Sequence, residues 1–317
     1  MVTIINRSDI LSIVRELDLV DAMEEGFIKY SRGETVVPPV GELVFTDPPG
    51  DTHIKYGYIK GADYYCIKIA SGFYNNPSLG LSSSQGMMLL FNQKTGEPVS
   101  VLLDDGELTN LRTAAAGALA AKYFAPETVE AIGIIGAGIQ GSLQLEQLKD
   151  IVRCRKVFLW DIDPENSINM KNKMEGIFKI DIMNSPSEVA QRSDLIITAT
   201  PSENPLIELD DVRPGTHITA VGSDTAAKQE LSSELTGNAD LLIADSIEQS
   251  KTRGEIYRAG KAGYLNNKII TELGAAIEDK SLRRINNKQI SIVDLTGVAV
   301  QDIMIATAVY KGYITKK

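Results

Sequence analysis

Histidine and cysteine are nearly missing from this chain. In 317 residues there are two of each: His53 and His217, Cys66 and Cys154. Two cysteines far apart in sequence build no disulfide framework and no thiolate ligand spacing, and they suit a reducing cytoplasm. The histidines form no spaced pair either, which argues against a zinc site of His and Cys, and no metal is expected. Excess positive charge is also absent: 32 Lys and Arg face 42 Asp and Glu, a formal net charge of −10, with no basic cluster. That argues against nucleic acid and against an anionic membrane surface as partners. Long apolar runs are missing too. The longest stretch, Leu111 to Ala125, contains Arg112 and Lys122 and is too short to span a bilayer. The opening MVTIINRSDI has no basic segment followed by an apolar one, so it does not read as a secretory signal. The expectation from these absences is a cytoplasmic location.

What is present is the composition of a globular protein, 43% hydrophobic and 23% charged, at a length that suggests about two domains. From Ala131 onward, buried strand-like runs alternate with helical stretches: AIGIIG, KVFLW, DLIITAT, HITAVG, DLLIAD and QISIVDL. This pattern predicts an α/β fold, a mostly parallel sheet covered on both faces, over residues 120–295. The N-terminal part differs. An amphipathic helix over Ser8 to Ser31 is followed by ELVF, THIKYGYI, YYCIKIA, GMMLLFN and PVSVLLDD, separated by turn-rich segments. Such spacing predicts an antiparallel or mixed sheet, hence an α+β domain over residues 1–119. The stretch Asn110 to Phe124 reads as a helix linking the domains. The helical tail, Asp302 to Tyr313, is expected to pack back on the first domain, so that residues 296–317 complete a discontinuous unit.

The most informative segment is Ala131 to Gly141, AIGIIGAGIQG, with Asp161 closing the next strand, KVFLWD. Gly136 permits a tight turn, Gly138 lets backbone approach a pyrophosphate, and Gly141 allows close helix packing. Ile139 and Gln140 open the helix whose free N–H groups would meet the anion. Asp161 stands 23 positions after Gly138, near the separation of about 20 expected of an acid that binds a ribose 2′-hydroxyl. No Arg follows it, so NAD (NADH) is favoured over NADP. Glycines alone would also fit a turn in an unrelated α/β protein. Strand, helix, second strand and acid in register favour the dinucleotide.

Several segments together resemble the ornithine cyclodeaminase and mu-crystallin family: YYCIKIASGFYNNPSLGLSSSQG, TGEPVSVLLDDGELTNLRTAAAGALAAKYFA, GIIGAGIQG, VGSDTAAKQEL and DLTGVAVQD. The resemblance runs through nearly the whole chain in order. It implies a Rossmann NAD-binding domain plus a discontinuous α+β domain for substrate binding and dimerisation, an amino or imino acid substrate, and a homodimer. By motif, Lys68 in IKIASG and Arg112 in LRTAA correspond to the cations that meet the substrate carboxylate, with Lys68 also counted as catalytic and Arg112 also near the cofactor. Asp224 in VGSD corresponds to the catalytic acid/base. Ser83, Thr200, Val221 and Lys228 are implied as cofactor contacts, and Val298, beside Gly297, as a substrate contact. Blander readings stand beside these: Lys68 on an exposed strand face, Arg112 paired near a helix start, and Asp224 capping a helix over TAAKQEL.

The pattern breaks in two places. Many relatives carry an Arg after the proline-rich strand entry, where this chain reads VVPPVGELVF. Thirteen residues before Lys68, where ornithine-specific members hold an acid, stands His53-Ile54-Lys55. Cations there would repel a distal ammonium, unless Glu42 pointed inward to receive it. Lys55 is therefore a candidate substrate contact in place of the missing Arg, or a solvent-facing strand residue.

Three functions fit the resemblance. The first is an NAD(H)-dependent amino acid dehydrogenase or imino acid (ketimine) reductase, with hydride transfer at the substrate Cα. The second is an amino acid cyclodeaminase of ornithine type, which releases ammonia and uses NAD catalytically. The third is a non-catalytic NAD(P)H-binding, crystallin-like protein, against which the joint presence of Lys68, Arg112 and Asp224 speaks.

Overall fold

The computed structural model describes residues 2–73 and 75–316; Tyr74, inside the FYNNPSLG run, lies outside them. In chain order the elements are β1 (Thr3–Asn6), α1 (Arg7–Val14), α2 (Leu19–Ser31), β2 (Thr35–Val36), β3 (Gly41–Thr46), β4 (Pro49–Ile59), β5 (Tyr64–Phe73), β6 (Ser84–Asn92), β7 (Pro98–Leu103) and α3 (Glu107–Phe124). Then follow β8 (Ile132–Ile135), α4 (Ile139–Ile151), β9 (Lys156–Trp160), α5 (Pro164–Lys173), β10 (Lys179–Ile182), α6 (Pro186–Arg192), β11 (Leu195–Thr198), β12 (His217–Ala220), α7 (Ser233–Asn238) and β13 (Leu241–Ala244). The chain closes with α8 (Gly254–Lys261), β14 (Ile270–Glu272), α9 (Leu273–Glu278), β15 (Ser291–Asp294) and α10 (Ala299–Thr315). Two compact units result, Met1–Arg112 with Val298–Lys317, and Thr113–Gly297.

The first unit is a seven-stranded mixed sheet of order β1-β7-β6-β5-β4-β2, with β3 also paired to β4. Its pairs are antiparallel except β1 with β7. Side chains alternate between faces with period two, so each register row lies on one side. The row Lys55, Lys68, Met88, Leu102, Ile5 faces inward and is buried throughout. Against that face α10 packs across β4, β5 and β6 and also touches α1 and α2. The neighbouring row on the other face, Tyr56, Ile67, Leu89, Val101, Ile4, is apolar from end to end. Its rim is open, with Tyr56 39% and Ile4 58% exposed.

One helix over Ser8 to Ser31 is not what forms. Two helices form, α1 and α2, with the break before Asp18. Asp18 adopts extended geometry and its carboxylate accepts the Asp21 N–H at 3.0 Å, so it caps a new helix instead of continuing the first.

The second unit is an eight-stranded sheet of order β10-β9-β8-β11-β12-β15-β13-β14, parallel in every pair. Strands β8, β11, β12 and β15 are buried at every position, as a sheet sandwiched between helices requires. The strand order reverses between β8 and β11, and in such sheets ligands bind beyond the carboxyl ends of the strands at that point. The glycine loop follows β8 there. The fold class is thus α/β, with one mixed and one parallel sheet.

Candidate active site

The first unit gathers a buried cluster of charge. Strand periodicity sets Lys55 and Lys68 side by side on the inner face of β4 and β5, and α10 brings Gln301 and Asp302 over them. Asp302 Oδ1 receives Lys68 Nζ at 3.0 Å and Arg112 Nε at 3.2 Å. Arg112 Nη1 donates to Gln301 Oε1 at 3.2 Å, and the Gln301 amide returns a bond to the Arg112 carbonyl at 3.4 Å. Val298 caps α10, its N–H donating to Gln301 Oε1 at 3.0 Å. All of these side chains are buried, Lys68 at 2% exposure and Lys55 at 8%. The exposed-strand reading of both lysines is therefore overturned: they face the helix, not water. Glu42 does not point inward. It lies on β3 opposite His53, with Oε1 3.5 Å from His53 Nδ1.

Burial acts first on these groups. It lowers Lys68 to about 8, helped by Arg112 and opposed by Asp302. It pushes the Asp302 carboxyl up, but Lys68, Arg112 and Lys55 outweigh it, so Asp302 ends below its ordinary value. Asp104, at the end of β7, is raised by burial while its Oδ2 accepts the Leu108 N–H at 2.9 Å. Lys68 and Arg112 share the carboxylate Asp302; with Lys55, three buried cations stand against two buried acids, Asp302 and Asp104, the second also in the field of Lys68, which leaves one positive charge in surplus. A buried surplus of that sign suits an anionic ligand. Ser83 stands apart from this cluster, in the bend before β6, where its carbonyl accepts the Phe73 N–H at 2.9 Å.

The second unit assembles the glycine loop and the turns beyond β11 and β12. Gly136 has φ +102°, and a Cβ there would lie 2.5 Å from the Ala199 carbonyl oxygen. At Gly141 a Cβ would fall 1.8 Å from the Gly136 oxygen, which is why only glycine lets α4 pack so closely. Gly138 is different: φ is −72° and nothing lies within 4 Å of its missing Cβ. No protein contact requires glycine there; the open space suits a ligand pressed against the backbone, at the N-terminus of α4 where Ile139 and Gln140 begin the helix. Asp161 Oδ2 accepts the Ala137 N–H at 2.6 Å, and Oδ1 accepts from Asp163 N at 2.8 Å. The acid therefore leans on the glycine loop itself. These residues fit a dinucleotide.

Thr200 and Val221 follow β11 and β12. The Val221 N–H donates to the Thr198 carbonyl at 2.9 Å, and Thr200 is bound through both N–H and hydroxyl to Glu230. Asp224 does not cap a helix, because residues 225–231 form none. Its carboxylate instead pairs with Lys228 Nζ at 2.7 Å and remains 47% exposed, open to a ligand. Asp302, Gln301 and Glu230 were not singled out by sequence reasoning. Both Gln301 and Asp302 stand in the VQD triplet that closes the segment holding Gly297 and Val298, but an acid in the first turn of a helix reads as a partner of the helix dipole.

A model of the ornithine cyclodeaminase/mu-crystallin family matches residues 2–317. The chain belongs to that family. Among its relatives is an uncharacterized cyclodeaminase of Sinorhizobium fredii, 35% identical over 93% of this chain and 91% of that protein. The alanine dehydrogenase of Archaeoglobus fulgidus is 32% identical over 99% of this chain and 95% of its own length. Among solved structures, the Δ1-pyrroline-2-carboxylate reductase of Thermococcus litoralis, in complex with NADH and L-proline, superposes with a TM-score of 0.92 at 27% identity, covering 99% of this chain and 98% of that one. Relatives thus include a pyrroline-2-carboxylate reductase, solved with NADH, an alanine dehydrogenase and an ornithine cyclodeaminase.

Proposed function

We propose that this protein is an NAD(H)-dependent amino acid dehydrogenase or imino acid reductase acting at the substrate Cα. The observation that carries the reading is the convergence of buried Lys68 and Arg112 on one carboxylate, with a positive charge to spare. The first unit then serves substrate binding and the second binds the dinucleotide. Lys68 and Arg112 hold the α-carboxylate of the substrate by charge-assisted hydrogen bonds, which fixes the adjacent Cα. Asp302 and Gln301 orient the two cations from behind. Lys55 adds positive field on the same face and disfavours a distal ammonium, so a side chain that is apolar or acidic fits better than that of ornithine. Val298 closes the apolar wall of that site. Asp224 transfers a proton at the substrate nitrogen or activates water for imine hydrolysis.

The glycine loop, with Ile139 and Gln140, receives the pyrophosphate. Asp161 takes the ribose 2′-hydroxyl and repels a 2′-phosphate, which makes NAD the cofactor over NADP. Ser83, Arg112, Thr200, Val221 and Lys228 are the further contacts. When bound, the dinucleotide supplies or accepts the hydride. The open apolar row Tyr56, Ile67, Leu89, Val101, Ile4 is the surface by which two copies pair into a cytoplasmic homodimer. One solved relative, the archaeal alanine dehydrogenase with bound NAD, is a dimer; no helix among the described residues is long and apolar enough to cross a membrane.

The test is NADH absorbance with purified protein against cyclic imino acids, and against 2-oxo acids supplied with ammonia or methylamine. Oxidation by at least one of these supports the reading. No oxidation across the panel, with ammonia released from ornithine under catalytic NAD, replaces it with the cyclodeaminase.

A further inference from the structure

Glu230 lies wholly buried in the second unit; it stands in the VGSDTAAKQEL segment, where sequence reasoning singled out only Val221, Asp224 and Lys228. Its Oε1 accepts the Thr200 N–H at 2.6 Å and the Thr200 hydroxyl at 2.8 Å. Its Oε2 accepts the Gly222 N–H at 2.8 Å and the Thr198 hydroxyl at 2.8 Å. One carboxylate therefore ties together the turns beyond two adjacent strands, β11 and β12. Each turn borders the candidate site. On one side the Thr200 methyl and the Ala199 carbonyl stand where a Cβ on Gly136 would be, at 2.9 and 2.5 Å, so Thr200 buttresses the glycine loop. On the other, the Gly222 carbonyl accepts the Asp224 N–H at 3.0 Å. A Cβ on Gly222 would meet the Thr200 backbone at 2.1 Å and Glu230 Cδ at 2.7 Å, which leaves no slack in the junction. Glu230 is itself held from behind: its own N–H and that of Leu231 bind the buried Glu255 carboxylate at 2.7 and 3.2 Å.

We infer that Glu230 is a positioning residue for the proposed reaction: its carboxylate sets Thr200 against the glycine loop and fixes the Gly222 turn that carries Asp224. The inference rests on the functional reading above. The negative charge is needed for a geometric reason. Each carboxylate oxygen faces one backbone N–H, which can only donate. In Glu230→Gln, either orientation of the amide turns its NH2 group onto one of those N–H groups, so the isosteric variant must release either Thr200 or Gly222.

Two measurements on the whole 317-residue chain test this. In Glu230→Gln, hydrogen exchange at one of the two amides, Thr200 or Gly222, is expected to speed up while the core strands stay protected; unchanged protection at both amides overturns the inference whatever the enzyme does. In the same variant kcat/KM is expected to fall about 100-fold, the scale of loss when reacting groups are misplaced by about an ångström. Because one of the two turns is released, the loss is accompanied by a weakened NADH Kd or by a shift of the pH profile of kcat ascribed to Asp224. A purely structural role would lower activity only in proportion to the folded fraction, with KM, NADH Kd and pH profile unmoved, and that result also overturns it. Thr198→Val carries the test if Glu230→Gln does not fold: removing one donor is expected to move the same parameters in the same direction by up to about tenfold, and wild-type values refute it. Wild-type protein that neither binds NADH nor reduces an imino acid would sink the functional reading alone, because the exchange experiment stands without it.

Discussion

Lys68 Nζ lies 3.0 Å from Asp302 Oδ1, and both side chains are almost sealed from water. Arg112 approaches the same oxygen at 3.2 Å, while Asp302 Oδ2 has no hydrogen-bond partner among the described residues. Two cations on one buried carboxylate form a preset claw, rigid because Gln301 locks Arg112 through two further bonds.

Removing the anion should therefore cost stability. Asp302→Ala leaves Lys68 and Arg112 buried and uncompensated, and breaking a buried pair from one side costs about 3–5 kcal/mol. Denaturant unfolding monitored by circular dichroism measures it. A wild-type midpoint would show that the cluster is better hydrated than its burial indicates.

Lys68 should impose a pH limit on carboxylate binding. It titrates near 8 in the folded chain against an ordinary 10.5, so its charge is lost as pH rises through 8. KM for the imino or amino acid is expected to climb above that pH, and Lys68→Arg should remove the climb. The stability sign is opposite. Between pH 8 and 10.5 the unfolded chain binds more protons at this site, so the Lys68 contribution to stability rises with pH. A KM that is flat from about pH 7 to 9, roughly one unit either side of the folded-state value, contradicts the assignment.

Two glycines three positions apart, Gly138 and Gly141, should behave oppositely on substitution by Ala. Gly141→Ala places a Cβ at 1.8 Å from a backbone oxygen and should destabilise the fold. Gly138→Ala meets only open space, so its melting should change by less than about 1 kcal/mol, the scale of an N-cap change, while NADH affinity falls. Calorimetry with a fluorescence titration separates the two. Equal stability losses would deny Gly138 its role at the ligand.

Asp161→Asn removes the charge; with its oxygen on the Ala137 N–H it keeps that bond and gives up the one from the Asp163 N–H. The preference for NADH over NADPH, read as a ratio of kcat/KM values, should drop about tenfold, equivalent to about 1.4 kcal/mol. An unchanged ratio would move cofactor choice elsewhere.

The parallel sheet and its glycine loop were legible because their signals are local: short apolar runs, and three glycines spaced within six residues. Lys68 and Arg112 were found by motif, but Asp302 was not, since it meets Arg112 across 190 positions and only folding shows which acid the cations share. The TAAKQEL segment reads as a helix by composition yet forms none. There the Glu255 carboxylate takes the N–H groups of Glu230 and Leu231, and the Ser202 carbonyl takes that of Gln229, a tertiary demand that overrides local preference. The split of the first helix was missed for the converse reason, because a single capping residue, Asp18, outweighed an unbroken amphipathic pattern.

The central claim is that hydride moves between the nicotinamide and the substrate Cα with net turnover of cofactor. NADH carrying deuterium in the transferred position, supplied in excess with an imino acid that the protein reduces, tests it by mass spectrometry of the product. The account predicts one deuterium per product molecule, at Cα, with NAD formed in equal amount. Product without label, or ammonia formed with no cofactor consumed, would contradict it.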